Sequence, residues 1–64
     1  MVPEVDIWRA ANLLIHQHGA DAVFAAAQRA DLMLDRRDGE GWVLWLRIRQ
    51  AIKALQAPRQ GELH

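Results

Sequence analysis

Apolar residues recur along most of the chain at the spacing of an amphipathic helix, and two interruptions that contain glycine divide this pattern into three segments. The first interruption is Gly19 and the second is the run from Asp38 to Gly41. The pattern predicts an all-α fold, a compact three-helix bundle with helices at about 3–18, 20–37 and 39–57. Residues 1–57 would then form a single domain, followed by a frayed C-terminal tail at 58–64.

The residues at the predicted helix ends support these boundaries. Pro3 suits the first turn of a helix, where its missing N–H would have no intrahelical partner. Gly19 closes the first helix, and the Asp38 carboxylate can cap the third by accepting hydrogen bonds from backbone N–H groups two or three residues further on. The sequence therefore predicts a turn at Gly19 and a capped helix start at Asp38.

Each predicted helix carries an apolar stripe that we expect to face the core. The expected core positions are Ile7, Trp8, Ala11, Leu14, Ile15 and His18 in the first helix, Val23, Ala26, Ala27, Ala30, Met33 and Leu34 in the second, and Leu44, Trp45, Ile48, Ile52 and Leu55 in the third. The second stripe is mostly alanine, which lets helix backbones approach closely. We therefore expect the tryptophans to supply most of the bulk in the core.

Composition and charge narrow the class of protein. The chain has 64 residues, no cysteine, and eight basic residues that balance eight acidic ones. A domain of this size buries only about 60% of the surface of its unfolded chain, which favours self-association. The first residues lack a basic segment followed by an apolar run, and no apolar run approaches the length of a membrane span, so we expect a cytoplasmic protein.

The side chains that could support chemistry have simpler explanations. His16 and His18 point about 200° apart on a helix, so they cannot ligate one metal ion without distortion. Asp31 and Asp35 are four residues apart, which is typical of a solvated helix face as well as of a carboxylate pair. We therefore predict no enzyme activity, no catalytic or metal site and no cofactor.

Several apolar residues fall off the predicted stripes, and they are the most informative feature of the sequence. They are Leu13, Phe24, Leu32, Trp42, Val43 and Leu46. Together they could form a patch of the kind that marks a protein interface, either with another protein or between two copies of a homodimer. The alternative is a broader core that absorbs them. The predicted function is a non-catalytic protein-interaction or structural domain.

The basic residues of the third helix give a second hypothesis. Arg47, Arg49 and Lys53 could contact a polyanion, because three-helix domains often place a basic last helix in the DNA major groove. The protein would then be a small nucleic-acid-binding regulator. The zero net charge favours the alternative that these residues form a solvated face.

A longer pattern resembles a family of short, mainly alphaproteobacterial proteins of unknown function. It runs from about Ile7 to Leu55 and comprises Trp8, His18, Gly19, Asp21, Ala22, Ala26, Arg29, Ala30, Leu34, Asp38, Gly41, Trp45, Ile48, Ile52 and Leu55. The chain departs from it at Arg37, where the family tends to have a small residue or glycine, and at Trp42. The resemblance implies a helical, cytoplasmic, bacterial protein and no mechanism.

Overall fold

The computed structural model describes residues 2–57, and this part of the chain is helical apart from its connections. Its elements are α1 (Glu4–His18), a 3₁₀ turn (Gly19–Asp21), α2 (Ala22–Asp35) and α3 (Gly39–Gln56). The all-α prediction is confirmed. The division into three helices is less clear than predicted, because α1, the 3₁₀ turn and α2 follow one another as a single bent helical stretch. The predicted tail at 58–64 lies outside the described residues.

Gly19 makes the bend between α1 and α2. Its φ of +57° lies in the left-handed region that glycine adopts without steric cost, and its N–H donates to the Ile15 carbonyl. The side-chain amide of Gln56, at the end of α3, donates a 2.9 Å hydrogen bond to the Gly19 carbonyl oxygen. The end of α3 is therefore held against the bend.

The connection from α2 to α3 is a Schellman turn. The Asp38 N–H donates to the Met33 carbonyl at 2.8 Å, and the Arg37 N–H donates to the Leu34 carbonyl at 3.0 Å. Arg37 has a φ of +57°, a conformation that costs a residue with a Cβ about 1–2 kcal/mol. The backbone therefore favours glycine at the position that Arg37 occupies.

Asp38 caps α3 as predicted. Its Oδ1 accepts a hydrogen bond from the Gly41 N–H at 2.9 Å, and its carbonyl accepts one from the Trp42 N–H. Glu40 adds a negative charge in the first turn of the helix, where the helix dipole favours it.

The two connections place α3 antiparallel to α2. The Met33 sulfur lies 2.7 Å from the position that a Cβ on Gly41 would occupy, and the Arg29 guanidinium lies 5.2 Å from the centre of the Trp45 ring. Gln56 meets the bend at the other end, so the last turn of α3 lies beside the first turn of α2. α3 contacts both α1 and α2.

The core is small and rich in alanine. Its buried members are Ile7, Ala11, Leu14, Ala22, Ala26, Ala30, Ile48, Ala51 and Ile52. Most of the predicted stripe is therefore confirmed, and half-buried residues such as Trp45 pack against it. The prediction is wrong for Trp8, His18, Leu34 and Leu55, which are exposed. Because alanines bring the backbones close together, no space is left at the centre for an indole ring, and Trp8, Trp42 and Trp45 lie at the edges.

Candidate protein interface

Five of the six predicted interface residues have exposed side chains. Phe24 is the most exposed of them at 64%, and Leu13, Leu32, Trp42 and Val43 are also exposed. Leu46 is half-buried. The structure therefore does not place these five residues in a broader core.

The six residues do not form one patch. At about 100° per residue, Phe24 lies on the outward face of α2, opposite the buried Ala22 and Ala26. Trp42 and Leu46 lie on the outward face of α3, one helical turn apart.

The remaining three predicted residues lie elsewhere on the surface. Leu32 is about 80° around α2 from Phe24, and Leu13 is on α1. Val43 is about 100° around α3 from Trp42 and lines a separate groove with Val2. The structure brings Trp42 and Leu46 together and separates the others.

Among residues 2–57, five exposed apolar residues were missed because the sequence pattern placed them in the core or did not single them out. They are Val2, Val5, Trp8, Leu34 and Leu55. Trp8 and Leu34 lie at the margins of their stripes, and Leu55 lies in the last turn of α3. Position near a stripe edge or a helix end was the signal that could have identified them, since neighbouring helices cover such positions least.

A groove of about 280 Å³ separates α1 from α3. It is lined by Glu4, Ile7, Trp8, Arg47, Gln50, Ala51 and Ala54. A second hollow of about 610 Å³ lies at the start of α3 and shares Arg47 with the first. Both are lined by apolar and charged side chains, a mixture that is also found in protein interfaces.

The three candidate polyanion contacts do not share a face. Arg47 lines both grooves, while Arg49 and Lys53 lie on the opposite side of α3, about 160° and 120° around the helix. Arg49 is half-buried, and its Nε is buried without a hydrogen-bond partner. A phosphate backbone could therefore reach Arg49 and Lys53 together, but not Arg47 at the same time.

Most of the other charged side chains in the described part of the chain have no ion-pair partner. Within residues 2–57 the one ion pair joins Arg9 to Asp6 at 3.9 Å, at an exposed site where such a pair contributes little. Asp31 and Asp35 are exposed. The described residues contain no group of three His, Asp or Glu side chains that could hold a metal ion.

No helix in the described part of the chain is long and apolar enough to cross a membrane. No protein-family model, no curated protein and no solved structure matches the chain, so its resemblance to the alphaproteobacterial family stays a prediction.

Proposed function

We propose that this protein is a non-catalytic interaction domain of the cytoplasm, a three-helix bundle that binds another protein chain through its outward apolar side chains. The single observation that supports this is the distribution of its large apolar residues. The core is mostly alanine, with Ile52 as its largest fully buried side chain, whereas Phe24, Leu13 and Val5 are each more than half exposed.

Complete burial of a phenylalanine side chain contributes about 1.5–3 kcal/mol, and Phe24 leaves most of that contribution unrealised in the isolated chain. Trp42 on α3 is 36% exposed, so a smaller share of its burial remains to be gained. Aromatic side chains are enriched in protein interfaces, and tryptophan is among the residues that most often dominate binding energies.

Site-specific photo-cross-linking in living cells tests the proposal. A photoreactive amino acid replaces Phe24 or Trp42, and the matched control replaces Arg9 on the outward face of α1. We expect protein adducts at positions 24 and 42 and few at position 9. Equal cross-linking at all three positions, or none at any, would refute protein binding through these side chains.

The geometry gives less support to a nucleic-acid-binding regulator. Arg47 lies apart from Arg49 and Lys53, so at most two of the three candidate contacts can meet one phosphate backbone. Titration of a labelled DNA duplex into the protein at several salt concentrations tests this alternative. If two basic residues were the contacts, the logarithm of the binding constant would fall with the logarithm of the salt concentration with a slope of about −2.

A further inference from the structure

One edge of the contact between α2 and α3 is lined by two neighbouring rows of basic and apolar side chains. The row at the end of α2 is Arg29, Leu32 and Arg36, and the row on α3 is Trp42, Trp45, Arg49 and Lys53. Successive members of each row are three or four residues apart, so each row follows one face of its helix. The guanidinium of Arg29 lies 5.2 Å from the centre of the Trp45 ring and joins the two rows. We call these seven residues the basic seam.

The basic seam concentrates positive charge on a chain whose net charge is zero. It holds four of the eight basic residues of the chain, and the one ion pair within residues 2–57 lies on α1. The acids of the same helices point elsewhere. Asp31 and Asp35 lie about 160° and 120° around α2 from Arg29, and Glu40 lies about 160° around α3 from Trp42. The seam is therefore a positive surface with no carboxylate in either row.

The isolated chain gains nothing from this arrangement. Arg49 and Lys53 are four residues apart on one helix, a spacing at which like charges destabilise the helix. Between the cations, Leu32 is 44% exposed and Trp42 is 36% exposed, so apolar surface also remains open to water. A partner that brings both carboxylates and apolar side chains would relieve the repulsion and cover this surface.

The extent of the seam limits the kind of anion that fits it. From Trp42 to Lys53 the row on α3 is about 16 Å long, or about three helical turns. Acids lie beyond both ends, with Asp38 at the start of α3 and Asp21 in the bend beside the end of α3. A long polyanion such as a nucleic acid would run into these acids, whereas a short acidic segment would not.

We infer that the partner of the proposed interaction domain presents a short acidic amphipathic helix, which lies along the basic seam. Its carboxylates pair with the cations of the seam, and its apolar side chains contact Leu32 and Trp42. Carboxylates four residues apart on such a helix have the same spacing as Arg49 and Lys53. This inference rests on the proposed function and adds the chemistry of the partner and the residues that recognise it.

A synthetic peptide tests the inference. The probe is a fluorescently labelled helical peptide of about 18 residues, long enough to form helix, with leucines along one face and glutamates beside them. The control peptide has glutamine at every glutamate position. We expect the protein to bind the glutamate peptide about tenfold or more tightly than the glutamine peptide, as measured by fluorescence anisotropy, and to lose this preference as the salt concentration rises.

Charge reversals in the protein locate the binding surface. Lys53→Glu and Arg29→Glu each reverse an exposed charge within the seam, and we expect each to weaken binding of the glutamate peptide by about tenfold. The matched control is Arg47→Glu, which makes the same change of net charge on α3 but outside the seam. Its affinity should stay within about threefold of the original. Circular dichroism establishes that each variant keeps its helices.

Four results would overturn the inference. They are no binding of the glutamate peptide up to about 1 mM, equal affinity for the two peptides, equal losses in the Arg47 and Lys53 variants, and tighter binding of a single-stranded oligonucleotide of the same net charge. The last result would assign the seam to nucleic acid. If the glutamate peptide does not bind but photo-cross-links to proteins still form from position 42, the inference is wrong and the proposed function stands.

Discussion

Gly41 lies at a close approach that an added methyl group would disturb. A Cβ at this position would lie 2.7 Å from Oδ2 of Asp38 and 2.7 Å from the sulfur of Met33. Met33 has a flexible side chain that can move aside. Asp38 cannot move without losing the hydrogen bond that its carboxylate accepts from the Gly41 N–H. We therefore expect Gly41→Ala to break the N-cap of α3.

Gly39 provides the control, since it lies in the same helical turn and has no atom within 4 Å of an added Cβ. Replacing either glycine with alanine stabilises the helix by up to about 1 kcal/mol, because alanine has the higher helix propensity. At position 41 alone, the loss of the cap costs about 1 kcal/mol, and Met33 must also repack. Gly41→Ala should therefore be about 1–2 kcal/mol less stable than Gly39→Ala.

Urea and thermal unfolding followed by circular dichroism measure this difference. About 1 kcal/mol corresponds to roughly 4–8 °C in Tm for a domain of this size. If the cost comes from the cap, Gly41→Ala should destabilise the Asp38→Ala variant much less than it destabilises the original chain. Equal stability of the Gly41→Ala and Gly39→Ala variants would refute this explanation. It would also be refuted if the destabilisations caused by Gly41→Ala and Asp38→Ala simply added in the double variant.

Three further predictions concern other parts of the fold. Arg37→Gly should raise the free energy of unfolding by about 0.5–1 kcal/mol, because glycine adopts the left-handed conformation without strain; a lower urea midpoint would contradict this. Gln56→Ala should lower the free energy of unfolding by about 0.5–1.5 kcal/mol, because the hydrogen bond to the Gly19 carbonyl is lost. An unchanged urea midpoint would show that this hydrogen bond contributes nothing to stability. Trp45→Ala should cost about 2–3 kcal/mol, less than the 3–5 kcal/mol of a core tryptophan, because the ring is half-buried at the edge of the core and lies under Arg29. Thermal unfolding of the Trp45 variant checks this, and complete loss of helix at 25 °C would mean that the ring is central.

Local chemistry made much of the fold predictable. The positions of Gly19 and Asp38 followed from what their residue types do at helix ends, and both were confirmed. Helical periodicity predicted the three buried isoleucines and the buried Ala11, Ala26 and Ala30, but it did not predict the burial of Ala22 and Ala51. The left-handed φ of Arg37 was not predicted, because it depends on how the chain must turn to bring α3 back onto α2.

The outer surface was less predictable. Periodicity identified Phe24 and Trp42 as off the core stripes, and both are exposed. It also assigned Trp8 and Leu55 to the core, where the structure does not place them. A helical wheel gives the direction of a side chain but not the distance to the neighbouring helix. An alanine-rich core sets that distance too short to enclose an indole ring.

The sequence by itself determined the helical content and the helix ends, because these depend on residues close together in the chain. Tertiary structure decided that α1 and α2 form one bent stretch and that α3 packs against both. It also decided which apolar residues stay outside the core. The physical reason is that burial and charge pairing depend on how helices pack together, and the residues that connect them do not encode that packing locally.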